Sequence, residues 1–204
     1  MIKALTDSLR LPFRSTFAAM LPGISSKETW EREYANGAWS RLSSDDDAGR
    51  YAILLGHMVR REASSVLDVG CGPGRSLDFL ARGPLTAYTG LDISEEAVRA
   101  AQKGQKFADA TFLASTAEAY TPDRKFDLII FNEVMFYLQD PRALLTRYHG
   151  YLNDGGQLLV SMMDCPYARF LWRRIGRSFE TTEATKVTKG YVSWSIRALR
   201  PKAG

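Results

Sequence analysis

Two cysteines and two histidines are all that the chain has of either residue, and the scarcity removes several chemistries at once. Cys71 and Cys165 make no metal-ligand spacing, so neither a structural zinc site nor a disulfide framework is expected, and no metal is expected at the site. His57 reads as part of the polar side of a helix with Arg50 and Arg61. His149 falls near a helix end, where a cation is favourable. Both histidines are expected at the surface rather than as catalytic bases. No apolar run reaches the ~18 residues that a membrane-spanning helix needs. The N-terminus has neither the apolar core nor the small-residue cleavage site of a secretory leader. A reducing, cytoplasmic setting is the expectation. Acidic residues thin out from Asp164 onward, where Arg169, Arg173, Arg174 and Arg177 share one expected helix. Beyond Phe170 and Trp172 no aromatics interleave with these cations in the manner that stacks bases, so nucleic acid is disfavoured as a partner. A solvated helix face is the first reading of this segment, and a peripheral contact with a membrane surface stays open.

What is present is an alternation. The chain has 204 residues, 45% hydrophobic and 25% charged, which suits one soluble α/β domain with modest additions. Residues 1–47 read as an N-terminal arm. Ile2, Leu5, Leu9, Phe13 and Phe17 recur at roughly helical spacing, Trp30, Tyr34 and Trp39 form a candidate lid, and Ser43 to Asp47 signal a helix start. Residues 48–204 read as the main domain. A helix over 48–62 carries Tyr51, Leu54, Leu55, Met58 and Val59 on one face. Strands are expected at 65–70, 87–92, 111–114, 126–131 and 157–163, with helices between them, one opened by Ser94 and one by Asp140-Pro141. Asn153 to Gly156 read as a turn, 165–176 as a helix, and 179–188 with 190–199 as a terminal hairpin. Strand–helix alternation calls for a doubly wound, mostly parallel seven-stranded sheet, and the short final link calls for an antiparallel strand near the C-terminus.

The most informative string is Val66-Leu67-Asp68-Val69-Gly70-Cys71-Gly72-Pro73-Gly74-Arg75-Ser76, a buried strand that breaks into a glycine turn and then a helix. Asp92 follows at the tip of the next strand, about 20 residues on, where a carboxylate can accept hydrogen bonds from ribose hydroxyls. A dinucleotide fold would want glycine where Arg75 stands. Asp68, just before the turn, would repel a pyrophosphate but suits a ligand with a cationic amino acid part. The string resembles the first motif of class I S-adenosylmethionine-dependent methyltransferases. The resemblance implies a Rossmann-like fold, with Gly70, Gly72 and Gly74 holding the methionine part of S-adenosylmethionine, Asp68 beside them and Asp92 on the ribose.

Further motifs continue the resemblance over residues 60–165. Phe112 to Glu118 matches the adenine-binding segment, with Thr116 in the place of the family's acid, Ala117 offering its backbone and Ile93 an apolar wall. Phe131-Asn132-Glu133-Val134-Met135-Phe136-Tyr137-Leu138 is similar to the fourth motif of small-molecule members, especially nodulation-type and quinone-type enzymes. It implies a cofactor contact at Asn132, with Glu133 and Tyr137 as candidates for positioning the acceptor or taking its proton. The expectation is therefore methyl transfer to a nitrogen or oxygen of a small molecule. The alternatives are a nucleic-acid methyltransferase using the basic tail, an NAD(P)-binding oxidoreductase, and a non-catalytic cofactor-binding subunit.

Overall fold

The computed structural model of the protein describes residues 26–39 and 48–203. The amphipathic arm expected over 1–26, Ser26 apart, and the helix-start signal over 43–47 lie outside the described residues. The elements in chain order are α1 (Lys27–Ala35), α2 (Ala48–Arg60), β1 (Ser65–Val69), α3 (Arg75–Leu80), β2 (Ala87–Asp92), α4 (Glu95–Gly104) and β3 (Ala110–Ala114). After them come β4 (Phe126–Asn132), a 3-10 turn (Met135–Tyr137), α5 (Pro141–His149), β5 (Leu152–Met163), α6 (Pro166–Ile175), β6 (Phe179–Lys189) and β7 (Val192–Pro201).

One seven-stranded sheet has the order β3-β2-β1-β4-β5-β7-β6. β1 to β5 pair in parallel, while β7 runs antiparallel to both β5 and β6. Strand side chains alternate between two buried layers. Leu67, Ile129 and Phe131 pack with α5 and α6 on one face; Val66, Leu128 and Ile130 pack with α2 and α3 on the other. A strand buried on both faces reads as a continuous apolar run, which is why Phe126 to Phe131 was legible. Strand order reverses beside β1, whose neighbours are β2 and β4, and in open α/β sheets ligands bind outside the carboxyl ends at such a switch point.

Two local expectations need correction. Asn153 to Gly156 is not a separate turn. These residues lie within β5, and the pairing with β4 slips between Phe126 and Leu128. Gly155, at φ 78°, takes up the irregularity. The second correction concerns α2. Arg50 and His57 are each only 4% exposed, because α2 is covered on two sides. Tyr51 stacks on Phe79 of α3 at 5.2 Å, and the terminal hairpin closes over the other side, where the Arg50 guanidinium lies 5.4 Å from the Trp194 ring centre. His149 is exposed at the end of α5, as expected.

Candidate active site

A cavity of about 730 Å³ opens at the carboxyl ends of the parallel strands, well within the range of small-molecule sites. The turn after β1 forms its floor. Gly70, Gly72 and Gly74 have φ values of 75°, 54° and 81°, a region where a Cβ is strained. A Cβ on Gly70 would come within 2.6 Å of Val134, so the turn packs against the segment after β4 only because glycine is there. Gly90 in β2 plays a similar part that its sequence did not signal: a Cβ there would meet Phe112 at 2.7 Å and the Cys71 sulfur at 2.9 Å.

Asp92 ends β2 with one oxygen accepting from the Gly72 amide at 2.8 Å and the other from the Ser94 amide at 2.9 Å. Burial outweighs these bonds and pushes its carboxyl up to about 6. Asp68 is 1% exposed. One of its oxygens accepts from the Tyr88 hydroxyl at 2.8 Å and from the Ser76 hydroxyl; the other is buried without a hydrogen-bond partner. Burial raises its pKa. The side-chain oxygen of Asn132 is likewise buried with no partner. Such orphaned acceptors cost free energy unless a donor completes them. An ammonium group carries three donors and no acceptor, so a ligand with a cationic amino acid end fits this floor, whereas a pyrophosphate offers only further acceptors.

Ile93, Ser115, Thr116 and Ala117 continue the wall past Asp92. The Thr116 hydroxyl accepts from the Ala119 amide at 3.1 Å, which turns it into its own loop. Ala117 and the apolar side chain of Ile93 lie on the same wall.

The roof comes from α1. Trp30 meets Tyr137 edge-on at 4.8 Å, Trp39 lies 5.6 Å from Trp30, and Tyr34 6.3 Å from Trp30. All four line the cavity; Trp30, Tyr34 and Trp39 cluster together, and Trp30 carries the cluster onto Tyr137. A Cβ on Gly72 would sit 3.0 Å from the Tyr34 hydroxyl. Burial, with Asp92 adding to it, raises the Tyr34 pKa well above its ordinary value. What fixes α1 is Glu31, which sequence reasoning missed. Its carboxylate accepts from the Ser94 hydroxyl at 2.8 Å and from the amides of Glu95 and Glu96 at 2.7 and 3.0 Å. One element thus supplies the anion at the other's positive helix end.

Glu133 lines the cavity but is tied to β5. Its oxygens accept from the Ser161 hydroxyl and the Met163 amide, each at 3.0 Å, and one lies 3.6 Å from an Arg50 nitrogen. Its φ is 63°, uncommon for a residue with a Cβ. Among the described residues, no group of three histidines, cysteines or acids converges as a metal site.

A methyltransferase domain family model matches residues 38–200. The chain belongs to the methyltransferase domain family. Among curated relatives, it is 33% identical over 125 residues to trans-aconitate 2-methyltransferase of Afipia carboxidovorans, covering 60% of this chain and 48% of that one. It is 37% identical over 122 residues to the enzyme of the same name from Methylobacterium radiotolerans, covering 59% and 46%. The chain thus spans about half the length of these relatives. Among solved structures, the N-methyltransferase NodS from Bradyrhizobium japonicum, in complex with S-adenosylhomocysteine, superposes with a TM-score of 0.70 at 19% identity, covering 86% of this chain and 98% of that one. Magnesium protoporphyrin IX methyltransferase from Synechocystis, also with S-adenosylhomocysteine, gives 0.65 at 17% identity, covering 86% and 100%. At such identities the likeness shows a shared fold alone.

Proposed function

We propose that the protein moves the methyl group of S-adenosylmethionine to a nitrogen or oxygen of a small-molecule acceptor. The observation that carries the reading is the pairing on adjacent strand tips of Asp92, fixed by two backbone amides, with Asp68, whose buried oxygen lacks a donor. When bound, S-adenosylmethionine supplies an electrophilic methyl group on a positively charged sulfur. Asp92 would accept from ribose hydroxyls, Asp68 and Asn132 from the ammonium group, and Gly70, Gly72 and Gly74 would bring the backbone close to the methionine part. Ile93, the Ala117 backbone and the Thr116 segment would hold the adenine. Trp30, Tyr34 and Trp39 would exclude water, and Tyr137 would hold the acceptor against them. Holding two reactants in line can supply up to ~7–11 kcal/mol.

The names of the relatives support a small molecule as acceptor. Part of the positive charge of the tail is engaged, although Arg169, Arg173 and Arg177 are exposed, and the nucleic-acid reading is the weaker one. Lys186 pairs with Asp164 at 2.7 Å and Arg200 with Glu180; Arg174 lies 3.7 Å from Asp140; Arg197 packs 4.2 Å from the Trp172 ring centre. No described helix is long and apolar enough to cross a membrane. Calorimetric titration with S-adenosylhomocysteine and, separately, with a nicotinamide dinucleotide tests the reading. Binding of the first with neglect of the second is expected, and the reverse preference would overturn it.

A further inference from the structure

Residues 115–125 join β3 to β4 without a helix or strand of their own. Such a segment gives up conformational entropy when it takes one shape, so its hydrogen bonds show what holds it. The Ser115 amide ties its start to the Asp92 carbonyl at 2.8 Å. The amides of Ala119 and Tyr120 turn back onto the Thr116 carbonyl at 3.3 and 3.1 Å. The Ala117, Glu118 and Tyr120 carbonyls are held from the last turn of α5. The Tyr148 hydroxyl donates to the Ala117 carbonyl at 3.0 Å. Arg147 donates to the Glu118 carbonyl at 2.6 Å and to the Tyr120 carbonyl.

Both donors are themselves braced. Tyr148 is fully buried, with its ring 5.2 Å from that of Phe131 and 5.3 Å from that of Tyr151. Arg147 donates from Nε to the Tyr151 hydroxyl at 2.8 Å, and its guanidinium lies 5.8 Å from the ring centres of Tyr148 and Tyr151. A guanidinium is a rigid planar fork, so one side chain sets two carbonyls of the loop at once. A trans peptide points its N–H away from its C=O. With the Ala117 carbonyl turned onto Tyr148, the Glu118 amide faces the opposite way. Ala117 and Glu118 line the cavity, and among the described residues their amides have no acceptor.

We propose that Arg147 and Tyr148 are positioning residues for cofactor selectivity: they hold this loop so that one of its backbone amides donates to a ring nitrogen of adenine. The proposal rests on the methyl-transfer reading above, in which this segment takes the adenine. Neither side chain lines the cavity, so both act through the backbone.

The test uses the full chain with S-adenosylhomocysteine and its 1-deaza, 3-deaza and 7-deaza analogues. Each analogue replaces one ring nitrogen by C–H and keeps the shape of the base. Dissociation constants are read by calorimetry. In the wild type one analogue should bind about tenfold more weakly than S-adenosylhomocysteine, because the amide that faced the missing nitrogen is left unpaired. Tyr148→Phe and Arg147→Gln should each cut that penalty to about threefold or less, by weakening S-adenosylhomocysteine while the analogue's Kd stays nearly unchanged. Arg147→Lys keeps the charge but not the fork, and it should behave as Arg147→Gln does. A merely structural role for the two residues would move all the ligands together and leave the ratio where it was. Should the buried Tyr148→Phe variant not fold, the half-buried Arg147→Gln carries the same comparison. Equal binding of all the analogues by the wild type, or a penalty undiminished in a folded variant, would overturn the proposal. Failure of the wild-type chain to bind S-adenosylhomocysteine is a different result, and it sinks the methyl-transfer reading itself.

Discussion

In the proposed complex Asp92 accepts from ribose hydroxyls as an ionised carboxylate, in a place that favours its neutral form. Burial pushes its carboxyl up to about 6, while hydrogen bonds donated by ribose hydroxyls favour the charged form. The ligand-bound state therefore prefers the deprotonated acid, and affinity is lost as pH falls through that value. Titrations with S-adenosylhomocysteine should show a roughly constant Kd above about pH 7 and a weakening approaching tenfold per unit below about pH 6. A flat profile down to pH 5 would place Asp92 outside the contact. Gly70 makes a second test at this scale. Both its φ of 75° and the 2.6 Å approach of a Cβ to Val134 oppose any side chain. Gly70→Ala should lower unfolding free energy by about 1–3 kcal/mol in urea titrations. Residues of this kind were legible because backbone demands are local: glycine turns and a strand-tip acid are written in consecutive letters. Arg50 was not, since nothing near it in the chain says that the hairpin beginning at Phe179 will bury it.

At the scale of elements, the strands and helices of the parallel core, the start of β5 apart, lay close to their expected bounds, because apolar runs and caps such as Ser94 and Asp140 are read locally. Ser94 accepts from the Ala97 amide and Asp140 from the Ala143 amide, both at 3.2 Å. Element partnership was harder to read. The segment around α1 looked like an arm with three aromatics, and Glu31 in α1 gave no sign of reaching the start of α4. That latch ties the roof of the cavity to the start of α4, directly after Asp92 and Ile93. Glu31→Gln removes the charge at the helix end, a loss of about 1 kcal/mol, and leaves the rings in place. Release of S-adenosylhomocysteine, followed by the fluorescence of Trp30 and Trp39, should then quicken about fivefold. An unchanged release rate would show that α1 does not gate the site.

Across the whole molecule, α2 joins the parallel core to the terminal hairpin, and His57 lies at the joint. It contacts Gln157 of β5 at 3.3 Å and Arg60 at 3.1 Å, with Glu183 of β6 at 3.8 Å and Arg61 nearby. Burial, aided by Arg60 and Arg61 and opposed by Glu183, lowers its pKa. Below the ordinary histidine value the unfolded chain then binds more protons than the folded one, so His57 costs stability as pH falls through about 6.5. Unfolding free energy measured in urea from about pH 7.5 to 5 should fall in the wild type relative to His57→Gln. A constant difference between the two would contradict the buried, neutral ring. The same joint supplies Arg50 and Trp194 to the cavity, so the packing that stabilises the C-terminal strands also builds part of the cavity wall.

The central claim is that the acid at the tip of β2 and the glycine turn after β1 grip the nucleoside of S-adenosylmethionine. Its most direct test is the dissociation constant of S-adenosylhomocysteine for Asp92→Ala, measured beside the wild type by calorimetry on protein whose fold is checked by circular dichroism. Loss of charge-assisted bonds predicts a weakening of about 100-fold or more. An affinity equal to that of the wild type in a folded variant would contradict the account.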